Sequence, residues 1–158
     1  MKKYYLIIAA MVLFTLTACH TKSTVADGNV SSVNNGSEEI PYKVAEGYFL
    51  RNDIKQTVIK KIDNREEFDS LFGMATVMGE NGKPTPIDFS REYVIAVSMP
   101  ETYHEAMLYT TGLARNDKDM IVFSYKYTIG EKRSYSITPC IIVVVSNEYS
   151  GKVIFNEE

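Results

Sequence analysis

The sequence predicts an α+β domain: a mainly antiparallel β-sheet with one short helix packed on one face. Three observations predict it. The second half of the chain is a succession of β-rich runs separated by short polar turns. Only residues 64–73 combine helix capping with apolar residues at helical spacing. The turns between runs are too short for parallel crossovers, so consecutive strands are expected to pair antiparallel.

Taken in order, Ile40-Pro41 marks the expected start of the domain, which runs over residues 41–158. Residues 44–50 hold β-favouring side chains around Gly47, and residues 57–62 form a second short strand. Asn52-Asp53 supplies the turn between them. Asn64 is the predicted helix N-cap, and Glu67 three residues on completes a capping-box-like pair. Glu66 and Glu67 suit the positive end of the helix dipole. Phe68, Leu71 and Phe72 share one face, and Gly73 is expected to end the helix at C′. A helix this short must dock that face on a sheet to be stable.

Residues 74–86 read as a loop, punctuated by Gly79, Asn81-Gly82, Pro84 and Pro86. Met74, Val77 and Met78 make its first half apolar, which predicts packing against the domain. Asp88, ahead of Phe89-Ser90-Arg91-Glu92, is expected to accept backbone N–H bonds and start a tight turn.

Strand follows strand from there. Residues 93–98 form a buried strand ended by Pro100, and residues 106–115 alternate. Asn116-Asp117-Lys118-Asp119 is a turn. Residues 120–128 place Ile121, Phe123, Tyr125 and Tyr127 on one face and Val122, Ser124 and Lys126 on the other. Gly130-Glu131-Lys132 predicts another turn, with a short strand over residues 133–137. The unbroken apolar run over residues 140–145 predicts a central strand. After a turn at residues 147–151, residues 152–156 close the domain.

The N-terminus carries a different message. Lys2 and Lys3 precede an apolar stretch that ends in Leu16-Thr17-Ala18-Cys19. The stretch is too short for a comfortable span, which needs about 20 apolar residues. It has the layout of an export signal, and its end resembles a lipobox. That resemblance implies a signal peptide over residues 1–18, cleaved ahead of a Cys19 that receives acyl chains. Several chains anchor stably where one does not. His20 rather than Asp follows the Cys. By resemblance to known sorting rules this implies the outer membrane. The basic, hydroxyl-rich run after it favours the periplasmic face over the cell surface. Residues 19–40 read as a lipidated Cys and a disordered tether, rich in Ser, Thr, Asn and Gly.

Cleavage before Cys19 would leave 15 basic and 20 acidic side chains, a net charge of −5. An acidic surface has no attraction for phosphates, so nucleic acid is not an expected partner. With Cys19 acylated, Cys140 is the remaining cysteine, which excludes an intramolecular disulfide and a multi-cysteine zinc site.

Asn64-Arg65-Glu66-Glu67-Phe68, followed by Ile87-Asp88-Phe89-Ser90 and Tyr93-Val94-Ile95-Ala96-Val97, resembles the C-terminal domain of the PrcB family. The strand over residues 140–145 and the tail Gly151-Lys152-Val153-Ile154-Phe155 stand where that family's last strands would. The resemblance covers residues 57–156. It implies a binding role, stabilising or regulating a protease partner. Family members commonly carry a Thr-Gly-Gly-Tyr-like turn, whereas this chain has Glu101-Thr102-Tyr103-His104-Glu105 there.

No catalytic residue, cofactor or metal site is expected. Glu101, His104 and Glu105 are read as a solvated loop rather than metal ligands. Cys140 opens an apolar run, where a thiol is normally buried and inert rather than paired with His104 as a nucleophile. Tyrosine is abundant, 11 residues with no tryptophan, and it clusters in the second half. Exposed tyrosines anchor partners at low entropy cost. Tyr103, His104, Tyr125 and Tyr127 are therefore the expected binding residues. The leading expectation is a non-enzymatic envelope lipoprotein that binds a protein. The alternative is a glycan or small-molecule binder using a tyrosine-bearing sheet face.

Overall fold

The computed structural model describes residues 37–75 and 82–158. The expected signal peptide, Cys19 and most of the expected tether lie outside the described residues.

The strands are β1 (Glu38–Glu39), β2 (Tyr42–Val44), β3 (Tyr48–Leu50), β4 (Val58–Ile62), β5 (Phe72–Met74), β6 (Glu92–Ser98), β7 (Thr102–Arg115), β8 (Ile121–Ile137), β9 (Cys140–Ser146) and β10 (Val153–Glu157). Among the described residues one α-helix, α1, spans Arg65–Leu71. Strands are mostly antiparallel, and the order is β1-β7-β8-β10 in an outer sheet and β2-β9-β6-β4 in a central sheet. A two-stranded pair, β3–β5, completes the fold.

Period-2 alternation explains the layering. Tyr93, Ile95 and Val97 of β6 and Ile141, Val143 and Val145 of β9 face the outer sheet, meeting Leu113, Ile121, Phe123 and Tyr125. The alternate residues Val94, Ala96, Ile142 and Val144 face Phe68 of α1, Phe72 and Leu50. The central strands are thus covered on both faces, by the outer sheet and by α1, where the sequence led to an expectation of one helix on one face. A single sheet was expected; the second sheet arises because one long hairpin folds back on itself.

That hairpin is continuous. β6 pairs with β9 up to Ser98↔Cys140, and β7 pairs with β8 from Thr102↔Ile137 to Arg115↔Ile121. Register shifts fall between Thr102 and His104, between His104 and Ala106, and between Thr110 and Gly112. Extra residues of this kind bend a strand and let it change sheets. The turn expected at Gly130-Glu131-Lys132 is not formed; β8 runs through it to Ile137, and the extra residues are taken up as irregularity in the ladder.

α1 begins at the predicted N-cap, where the Asn64 side chain accepts from the Glu67 amide at 2.8 Å, but the Glu67 carboxylate pairs with Lys60 instead of completing the capping box. Its end differs. Gly73 is not a left-handed cap but a residue of β5 opposite Phe49. A Cβ there would lie 2.7 Å from the Phe49 ring, so the glycine makes room for that ring. The strand expected over residues 44–50 is broken, because Gly47 has φ +77° and turns the chain between β2 and β3. Met74, expected to pack, is 69 % exposed; Val77 and Met78 lie outside the described residues. Glu38 and Glu39 pair with Arg115 and Ala114, and Ile40 is fully buried, so the folded part starts ahead of Pro41. β10 closes the outer sheet parallel to β8, not antiparallel, because the chain crosses back along the sandwich before pairing.

Candidate functional site

The outer sheet is incomplete on one side. β1 covers only Arg115 and Ala114 of β7, and the Ile40 amide then donates to the Leu113 carbonyl at 2.9 Å. Among the described residues no strand pairs with that edge of β7 from Thr102 to Gly112. Sequence makes this edge unusual. Residues 106–114 contain no charge and no proline. Free edges normally carry such guards against adventitious pairing. β4 carries Lys60 and Lys61, and β8 beyond β10 carries Lys126, Glu131, Lys132 and Arg133.

Orientation follows from the ladder. In an antiparallel pair, alternate residues bond to the partner or turn their backbone groups away. Leu113 faces inward and turns its carbonyl to the β1 side. The bulge between Thr110 and Gly112 shifts the alternation by one residue. Ala106, Leu108 and Thr110 therefore face inward and present their N–H and C=O groups to the open edge. Tyr103, Met107 and Tyr109 face outward, 56 %, 57 % and 40 % exposed.

Beside this edge lies a recess of about 300 Å³. Leu108 to Thr110 form one wall, Cys140 to Ile142 the floor, and Val44, Ala45 and Tyr48 the far side. Among the described residues none that lines it is charged. Burial pushes the Cys140 thiol up to about 11, against a weaker opposing hydrogen bond with Ser98. The protonated thiol is a poor nucleophile at neutral pH. The hydrogen bonds of His104 run to Thr102 instead, its amide donating to Oγ1 at 3.2 Å.

A larger hollow, about 470 Å³, is lined by Asp88, Arg91, Glu92, Ser146, Asn147 and Glu148. Two of its three carboxylates, Asp88 and Glu92, already serve the fold. Asp88 Oδ1 accepts from the Ser90 amide at 3.0 Å and the Ser90 hydroxyl at 2.6 Å, as expected of a turn-forming Asp. These bonds, the hydroxyl's foremost, hold the Asp88 carboxyl below its ordinary range. Glu92 accepts from the Asp88 amide at 3.0 Å and from Lys43 Nζ at 2.8 Å. Burial opposes its ionisation, but these two bonds outweigh it and lower its pKa.

The four expected binding residues do not form one site. Tyr103 and His104 are exposed near the bend of the hairpin. Tyr125 is only 3 % exposed; its ring packs on Phe123 in the core and its hydroxyl donates to Glu157 at 3.3 Å. Tyr127 is half-buried against the same core, opposite Leu108. Both were read as exposed anchors, and both point inward because they share the face of Ile121 and Phe123. Glu101, His104 and Glu105, expected as a solvated loop, are exposed, but His104 and Glu105 belong to β7 and not to a loop; Glu101 accepts from the Ser136 hydroxyl at 2.6 Å and Glu105 is paired with Arg133. Among the described residues no group of three acidic, His or Cys side chains is placed to hold a metal. Met107, Leu108, Tyr109 and Thr110, which lie along the open edge, are not among the expected binding residues. The absence of any charge over residues 106–114 was the available signal.

No family model matches the chain, and no curated protein or solved structure matches it.

Proposed function

We propose that this chain is a lipid-anchored protein of the bacterial envelope, held by an acylated Cys19 on the periplasmic face of the outer membrane. Its domain binds a protein partner and carries out no chemistry of its own. The open edge of β7, charge-free over residues 106–112 and beside an apolar recess, carries this reading. An unguarded edge is a liability unless something covers it. The resemblance of residues 57–156 to the PrcB C-terminal domain supports a protease or its regulator as the partner.

Two variants test it. Cys19→Ser is expected to leave the membrane fraction; unchanged sedimentation with membranes contradicts the anchor. Met107→Lys places a guard charge on an exposed position of the edge. A partner recovered with the wild-type lipoprotein is expected to be lost with Met107→Lys while the thermal midpoint stays unchanged. Equal recovery with both contradicts the edge as the binding site.

The second reading is a glycan or small-molecule binder. It draws on the exposed rings of Tyr103, Tyr109 and Tyr135. Loss of glycan retention in the Tyr103→Ala and Tyr109→Ala variants would favour it.

A further inference from the structure

We propose that the β7–β8 ladder near the bend switches between two registers two residues apart, with His104 opposite Lys132 in one and opposite Ser134 in the other. The pairs Thr102↔Ile137 and Ala106↔Ile129 bound this stretch, and His104↔Lys132 is the pair between them. β8 brings residues 130–136 to the interval, whereas β7 brings only Tyr103, His104 and Glu105. The surplus is divided unequally. Arg133 to Ser136 stand opposite Tyr103, and Gly130 and Glu131 stand opposite Glu105. Moving His104 onto Ser134 exchanges the two bulges. Gly130 to Arg133 then stand opposite Glu105, and Tyr135 and Ser136 opposite Tyr103. Paired and surplus residues are equal in number in both registers.

Three observations bring the registers close in energy. No core selects between them: every residue from Thr128 to Tyr135 is exposed, as are Tyr103, His104 and Glu105. Register is firmly set where one face is buried and weakly set where neither is. A two-residue step also keeps each side chain on its own face. The ties beyond the ladder survive the step as well. Arg133, paired with Glu105, adjoins the residues opposite Glu105 in the observed register and joins them in the other. Ser136, which donates to Glu101 at 2.6 Å, stays opposite Tyr103 in both. Finally, local chemistry favours the register that the structure does not show. Turn chemistry lies at Gly130-Glu131-Lys132, yet the longer bulge falls on Arg133 to Ser136. The step moves that bulge onto the glycine. Its consequence is a change in what the bend displays. Tyr135, 60 % exposed, stands in the longer bulge of the observed register. In the other register Glu131, Lys132 and Arg133 stand there, so one surface offers either an aromatic or a charged projection.

The test traps each register with a disulfide in the full chain, in a Cys140→Ala background. His104→Cys is combined with Lys132→Cys, with Arg133→Cys or with Ser134→Cys, and closure under oxidised glutathione is followed by mass spectrometry. Facing residues of an antiparallel pair stand about 4.5–5.5 Å apart, within disulfide reach. The pairs with positions 132 and 134 are expected to close at rates within about ten-fold of each other, and the pair with position 133, on the opposite face, at least about ten-fold more slowly than either. Closure with position 132 alone overturns the switch. Equal closure with all three positions overturns it too, in favour of a frayed ladder. NMR relaxation dispersion on the chain without the engineered cysteines is the second measurement, and it decides the matter where a double variant fails to fold. Exchange on the microsecond-to-millisecond scale is expected at residues 103–105 and 130–136 and not at residues 106–109. Flat profiles throughout, or exchange of the same size at residues 106–109, overturn the switch.

Discussion

The amide of Met99 donates to the carbonyl of Pro139 at 2.9 Å, and this bond joins the two sheets. On one side of it the β6–β9 ladder ends at Ser98↔Cys140; on the other the β7–β8 ladder begins at Thr102↔Ile137. One hairpin, with its turn at residues 116–120, thus supplies the two middle strands of both sheets.

Ser98 reinforces the join. It is fully buried, and its hydroxyl donates to the same Pro139 carbonyl at 3.0 Å. Ser98→Ala is expected to cost about 1 kcal/mol, because Met99 still satisfies that carbonyl. Urea unfolding should show a lower midpoint with an unchanged slope. No loss of stability would mean that the hydroxyl contributes nothing to holding the bend.

Gly47 carries the turn into β3. Its φ is +77°, and a Cβ would lie 2.8 Å from the Pro84 Cα. A backbone atom cannot swing aside as a side-chain tip can. Gly47→Ala is therefore expected to destabilise by about 2 kcal/mol, combining left-handed strain with the clash. Thermal unfolding checks this, and a neutral result would show that the segment at Pro84 yields freely.

Phe68 locks α1 to the central sheet. It is fully buried, with Tyr48 edge-on at 5.1 Å and Phe72 and Phe89 at 5.2 and 5.7 Å. Phe68→Ala is expected to cost about 3–5 kcal/mol. Leu71→Ala, on the half-buried margin, is expected to cost less. Equal losses for the two would contradict the placement of the helix face.

Elements governed by local chemistry were legible in the sequence. Asn64 and Glu67 located the helix start, Asp88 its turn, and the run over residues 140–145 a central strand. Longer-range outcomes were not. Nothing near Gly130 shows that β7 will pair across it, so a glycine followed by charges reads as a turn. The face of Tyr125 was correctly grouped with Ile121 and Phe123, but alternation alone does not reveal which face a second sheet covers. The site was hidden for the same reason. An edge becomes open only when β1 stops after two residues, and that depends on where the whole chain turns.

Alkaline pH should loosen the domain. Burial raises the Cys140 thiol from 9.0 to about 11. Burial also raises the Tyr93 hydroxyl from 10.0 to about 12, with Arg115 opposing and Asp63 adding to it. The unfolded chain releases these protons first. The stability they provide is complete below pH 9 and is lost as pH climbs through the folded-state values. The thermal midpoint is expected to fall by several degrees between pH 8 and pH 10.5. The Cys140→Ala variant should lose less over the same interval. A flat profile would contradict the burial of both groups.

The central claim is that the edge of β7 beside the recess is where a partner sits. Its most direct test is a photo-reactive phenylalanine analogue placed at Tyr109, and separately at Lys60 on the guarded edge of β4, in living cells. Irradiation is expected to yield one discrete cross-linked protein from position 109 and none from position 60. Adducts from position 60 alone, or equal adduct patterns from both positions, would contradict it.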